Sequence, residues 1–215
     1  MILEQADIFD RRINQKGDKH LGIDPWERER LQPASYEIAL GAQFRVFDPT
    51  VSVIDSLAPG DYTKLVNIDD DEQPYYDAGY YLLRPGEFIL GTSVETFTFP
   101  LDLAGEITGR SSIGRIGLQV HATAGYFDPG FAGQVTFEIA NISPCHIKLH
   151  PGLIIAQMKF FKLTRASQMP YASEGLGSHY QNQRGPTASR LGQSTKVTQL
   201  QLPGVQWGAY ERSDT

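Results

Sequence analysis

The stretch GRSSIGRIGLQVHATAGYFDPGFAGQVTFEIAN, residues 109–141, decides how the chain is read. Its last part, Gln134–Asn141, alternates: Val135, Phe137 and Ile139 share one face of an extended strand, and Thr136, Glu138 and Ala140 share the other. Glu138 therefore points away from the apolar set. On a plain surface sheet it would only meet water, but its company upstream is unusual. Gly109–Arg115 offers Arg110, Ser111, Ser112 and Arg115 among glycines, which suits a backbone that approaches phosphate oxygens closely, with guanidinium forks and hydroxyls as donors. The segment is no Walker loop, because G-x-x-x-x-G-K-[ST] is absent. Between the two lies TAGYFDPGFAG (123–133), read as a hairpin-like turn that holds Asp128 near two aromatics, Tyr126 and Phe131. An Asp before Pro is an ordinary turn residue; beside an aromatic ring it also meets the needs of a nucleoside.

Outward from this stretch the chain breaks into short β-branched and aromatic runs punctuated by Gly and Pro. These are FRVFDP (44–49), YYLLRPGEFILGTSVETFTFP (80–100), GQVTFEIANIS (133–143) and HIKLHPGLIIAQMKFFKL (146–163). The pattern predicts an all-β barrel or jelly roll. One helix is expected, in LEQADIFDRRINQK (3–16), with Leu3, Ile8 and Ile13 on its apolar side. The acidic NIDDDEQPYYDAG (67–79) reads as a solvated loop. After Leu163 the chain turns rich in Gly, Ser, Gln and Pro, so residues 1–163 are expected to form one β domain and 164–215 a tail or lid. Composition alone favours disorder there, whereas Tyr171, Tyr180 and Arg184 suit a segment that folds over a ligand. The alternating VTQLQL (197–202) would add an edge strand or pack on a neighbouring subunit.

A net charge of −6 and a pI of about 5.3 argue against the broad basic surface that nucleic-acid polymers require, while leaving room for a small anion held by a few arginines. No apolar tract is long enough to cross a bilayer, and MILEQADIFDRRINQKGDKH has no export-signal pattern, so a cytoplasmic location is expected. Cys145, the only cysteine, is expected to act as a small buried or half-buried hydrophobe. Zinc deaminases use H-x-E with P-C-x-x-C; here HAT (121–123) lacks the glutamate and PCHI (144–147) lacks the second cysteine. His20, His121, His146, His150 and His179 have no metal-ligand spacing.

Taken together, LQPASYEIALG, LRPGEFILGTSVETFTFP, the 109–141 stretch, HPGLIIAQM and YQNQRGPTASR resemble the dCTP deaminase family of the trimeric dUTPase-like superfamily. The resemblance implies a distorted β-barrel or jelly roll with a short N-terminal helix, assembled as a homotrimer whose active sites draw on more than one subunit. It implies hydrolytic deamination of a deoxycytidine nucleotide, with magnesium held mainly by the triphosphate and no zinc. Glu138 matches the proton shuttle that activates water for attack at the pyrimidine C4. Ser111 matches a residue that positions the water, and Arg115 a fixed cation at the deamination centre. The backbone near Ala124 matches the reader of the cytosine edge. Arg110, Ser112 and Gln157 match phosphate contacts, while Tyr171, His179 and Gln183 match positions that cover the ligand. Asp128 falls where the dUTPase branch keeps its water-activating aspartate, and Gly125 and Tyr126 stand where the dUTP-forming branch tends to carry His-Arg. The expectation is therefore dCTP deamination coupled to pyrophosphate release, giving dUMP for thymidylate synthesis, with dTTP as an inhibitor. The alternatives are a dUTP-forming deaminase and a catalytically silent nucleotide-binding regulator of the same fold. Two positions depart from the pattern: Glu37 replaces the usual aspartate, and His179 a common lysine.

Overall fold

The expected β runs appear as strands in the computed structural model, which describes residues 1–56, 60–68, 79–123 and 125–190. In chain order these are β1 Gly22–Asp24, β2 Leu31–Gln32, β3 Ser35–Phe47, β4 Thr63–Asn67, β5 Tyr81–Leu83, β6 Phe88–Thr98, β7 Leu103–Gly109, β8 Leu118–Gln119, β9 Tyr126–Phe127, β10 Ala132–Asn141, β11 Ile147–Leu149 and β12 Ile154–Lys162. The main sheet runs β8-β10-β6-β3-β12-β7-β9, with β1 beside β6 and with β2 and β4 beside β3; β5 and β11 form a separate ribbon. Every pairing between these strands is antiparallel.

The long strand β3 lets the sheet curl. Its first half pairs with β12 through Tyr36–Ala39 and its second half with β6 through Leu40–Val46, with a register shift between Leu40 and Phe44. At this changeover the Ala39 amide donates to the buried Glu95 carboxylate at 3.1 Å, and Arg30 pairs with the same carboxylate. Burial pushes the Glu95 carboxyl upward, against the opposing pull of backbone amides and of Arg30.

Inside the curl, Val135, Phe137 and Ile139 of β10 are fully buried, while Thr136 and Glu138 lie half-buried on the other face. This is the alternation expected from the sequence. Phe99 packs against Phe97, Phe127, Phe131 and Phe160 at the centre of the core. Gly105 makes room for it, since a Cβ there would come within 2.5 Å of the Phe99 ring.

Three expectations need correction. The N-terminal helix, α1 Gln5–Phe9, widens into a π turn over Asp10–Asn14. That widening takes Ile13 off the apolar face and leaves it exposed, while Arg11 turns inward to grip Asp102 through two hydrogen bonds of 3.0 and 2.5 Å. The 123–133 segment is not a hairpin: β9 pairs with β7 and β10 with β6, so the Asp128–Gly130 turn passes between different strand neighbours and Phe131 enters the core. Cys145 is exposed, because it lies in the turn after β10 where Asn141 and Ser143 bind its carbonyl and swing the side chain outward. Most of the acidic loop, together with Ala124 and VTQLQL, lies outside the described residues. No helix among the described residues is long and apolar enough to cross a membrane.

Candidate active site

Glu138 sits on the outward face of β10, where one of its oxygens, Oε2, accepts hydrogen bonds from the Ala122 and Thr123 amides at 2.8 and 2.9 Å. Its other oxygen has no partner among the described residues. The strand thus presents the carboxylate while the 121–123 loop fixes its direction. At the start of this loop, His121 keeps a buried Nδ1 without a hydrogen-bond partner among the described residues.

A second cluster lies on the β3–β12–β7 part of the sheet. Gln157 is in register with both Glu37 and Thr108. Its Oε1 accepts from the Ser35 hydroxyl at 2.8 Å, and Glu37 forms an ion pair with Arg110 at 3.1 Å. Arg110 leads into the one-turn helix α2 Ser111–Gly114, which buries Ile113 and leaves Ser111, Ser112 and Arg115 exposed. None of these three exposed side chains has a hydrogen-bond or ion-pair partner among the described residues. The structure therefore brings Arg110 and Gln157 together around Glu37. No hydrogen bond or ion pair among the described residues joins Glu138 to Ser111, Arg115 or Asp128.

Asp128 is exposed in its turn, where only its backbone carbonyl is used, accepting from the Phe131 amide at 3.1 Å. Tyr126, 61% exposed, stands two residues before it. The tail returns to this region. Tyr171 lies edge-on to Phe131 at 5.5 Å, and its hydroxyl accepts from the Tyr180 amide at 3.0 Å. His179 is half-exposed, with its ring edge-on to Tyr180. Gln183 donates from Nε2 to the Gln134 carbonyl at 2.7 Å, leaving its buried Oε1 without a partner among the described residues. A buried acceptor left open in this way is costly unless something else satisfies it.

Nothing in the sequence marks Glu37 and Arg110 as a pair, although Glu37 departs from the family pattern. The role of the Ala122 and Thr123 amides is unmarked as well, since backbone groups carry no residue signature. Among the described residues no three His, Cys, Asp or Glu side chains stand close enough to hold a metal ion.

The curled β architecture defines the class. It superposes on a 2′-deoxycytidine 5′-triphosphate deaminase from Agrobacterium tumefaciens with a TM-score of 0.54 and 19% identity, over 74% of this chain and 47% of that one. A family model described as dCTP deaminase-like matches residues 3–163, and the chain belongs to that family. Two relatives named dCTP deaminase, dUMP-forming, fall in line with this. That of Beutenbergia cavernae is 44% identical over 186 residues, 85% of this chain and 93% of the relative. That of Mycobacterium marinum is 45% identical over 171 residues, 79% and 87% of the two chains.

Proposed function

We propose that the chain deaminates dCTP and then removes pyrophosphate, giving dUMP. The observation that carries this reading is the outward Glu138 carboxylate, tethered through one oxygen by two loop amides at 2.8 and 2.9 Å. The naming of the relatives as dUMP-forming supports the product. In the first step Glu138 accepts a proton from water as the oxygen bonds to the pyrimidine C4. It then returns the proton to the amino group, which leaves as ammonia. Ser111 orients the water, and Arg115 steadies the charge that develops. In the second step Asp128 activates water at the α-phosphate, breaking the bond to the pyrophosphate. Arg110, Ser112 and Gln157 take the phosphates, with magnesium arriving on the triphosphate. Ala124 lies outside the described residues, and its reading of the cytosine edge belongs to the same proposal.

Among the described residues no hydrogen bond or ion pair joins Glu138 to the Arg110–Arg115 cluster, and a homotrimer in which one protomer's cluster meets another's Glu138 belongs to the same proposal. The tail bearing Tyr171, His179 and Gln183 covers the nucleotide, and Tyr126 lines the sugar side. The test is to incubate the protein with dCTP and magnesium and to follow ammonia and pyrophosphate separately. Both should appear, with dUMP as the accumulating product. Ammonia without pyrophosphate would leave a dUTP-forming deaminase, and neither, with dCTP or dTTP still bound, would leave a silent regulator.

A further inference from the structure

Residues 181–187 run beside the start of β10 as a strap. Asn182 donates to the Ala132 carbonyl at 2.7 Å, and the Gln134 amide donates to the Gln183 carbonyl at 3.1 Å. Gly185 donates to Gln134 Oε1 at 2.7 Å, and Thr187 to Thr136 Oγ1 at 3.4 Å. The strap therefore lies on Gln134 and Thr136, the two outward side chains that precede Glu138 on the same face.

The sheet register identifies what holds the strap's far end. Glu138 is opposite Leu90 of β6, and Leu90 is opposite Arg45 of β3. Directly opposed residues in antiparallel strands point to the same face, so Arg45, Leu90 and Glu138 form one row spanning about 10 Å, two interstrand steps. Arg45 Nε donates to the Pro186 carbonyl at 2.8 Å, while Nη1 donates to Asp61 at 2.6 Å and to the Thr63 hydroxyl at 3.2 Å. Gly185, with φ of +67°, passes so close to Gln43 that a Cβ there would come within 2.8 Å of its Oε1. Gln43 lies two residues from Arg45 on the same side of β3.

We propose that Arg45 is a positioning residue of the active site: anchored by Asp61 and Thr63, it pins the strap at Pro186 and so fixes residues 179–190 beside Glu138. This rests on the reading that the strap covers the nucleotide. The guanidinium is suited to the task because its separate nitrogens serve the strap and the β4 side at once, which the single ammonium of a lysine does not reproduce.

The test compares Arg45→Ala and Arg45→Lys with the unaltered protein by three measurements: tryptic cleavage after Arg184 without nucleotide, ammonia release from dCTP with magnesium, and thermal unfolding. Loss of a charge-assisted hydrogen bond should speed cleavage by about tenfold and raise KM for dCTP by a similar factor, with a much smaller change in kcat. Arg45→Lys should restore the unfolding temperature but neither the protection nor KM, which a purely structural role would not produce. Cleavage at the original rate in Arg45→Ala would overturn the latch. Faster cleavage with unchanged KM would overturn its positioning role. If the unaltered protein releases no ammonia from dCTP, the function reading falls and takes the kinetic half of this proposal with it, while the cleavage comparison still decides whether Arg45 holds the strap.

Discussion

Replacing Glu138 separates two tasks that one carboxylate performs. Its Oε2 accepts from the Ala122 and Thr123 amides at 2.8 and 2.9 Å. Glu138→Gln keeps an oxygen able to accept both bonds but removes the charge and the site for a transferable proton. Trading two charge-assisted acceptances for neutral ones should cost about 1–2 kcal/mol in all, at the low end because both loop residues are exposed to water. In a chain of this size that lowers the unfolding temperature by roughly 2–8 °C. Removing a proton shuttle costs far more, about 10²–10⁴ in rate, or roughly 2.7–5.4 kcal/mol of transition-state stabilisation. Glu138→Ala loses the loop contacts as well. A glutamate that merely held the loop would leave the Gln variant active and the Ala variant impaired; a proton shuttle leaves both equally inactive. The assay is ammonia release from dCTP, with nucleotide affinity measured by calorimetry to confirm that the site still forms. More than about a tenth of the original turnover in Glu138→Gln would refute the reasoning, because no general acid–base role survives so small a loss.

Asp128→Asn should lower pyrophosphate release by about 10²-fold or more while ammonia release stays within a few fold, and dUTP should accumulate in a product chromatogram. Because its exposed side chain makes no hydrogen bond or ion pair among the described residues, the unfolding temperature should not move. Glu37→Gln removes the 3.1 Å partner of the partly exposed Arg110. Initial rates should show KM for dCTP rising about threefold to fivefold with kcat nearly unchanged. At Asp61, partial burial would raise the carboxyl, but Thr63 and Arg45 outweigh it and hold the group below its ordinary value. Its pairing therefore stabilises the strap fully above the unfolded value of about 3.9 and is lost only as pH falls through the lower folded one. Hydrogen exchange of the Gly185 amide should stay protected down to about pH 4 once intrinsic rates are allowed for, and Asp61→Asn should remove that pH dependence.

Strand identity was legible wherever a period of two met a buried face. In β10 the alternation places Val135, Phe137 and Ile139 in the core and Glu138 opposite them, because a one-residue slip would bury the glutamate and expose the phenylalanine. The turn at Asp128 misled for a related reason. Gly and Pro mark where the chain reverses, but strand partners are chosen by the whole sheet, and TAGYFDPGFAG holds nothing to say that β9 belongs with β7. Ile13 was misplaced because its expected face assumed a regular helical period, which the π turn at Asp10–Asn14 interrupts.

At the site, side chains were easier to read than the bonds that aim them. Glu138 stood out from its strand, but Ala122 and Thr123 act through their amides, and an amide looks the same at every residue. Arg110 was legible as a cation, yet its ion-pair partner Glu37 lies 73 residues earlier in the chain and meets it only because β3 and β7 flank β12. Arg45 was silent for the same reason, since its bond to the Pro186 carbonyl spans 141 residues and involves no side chain on the strap. Residue type proposes the chemistry, and the register of the sheet decides which residues hold that chemistry in position. The groups that position Glu138's surroundings therefore lie along the rows that cross the strands through it, where Arg45 stands, rather than beside it in the sequence.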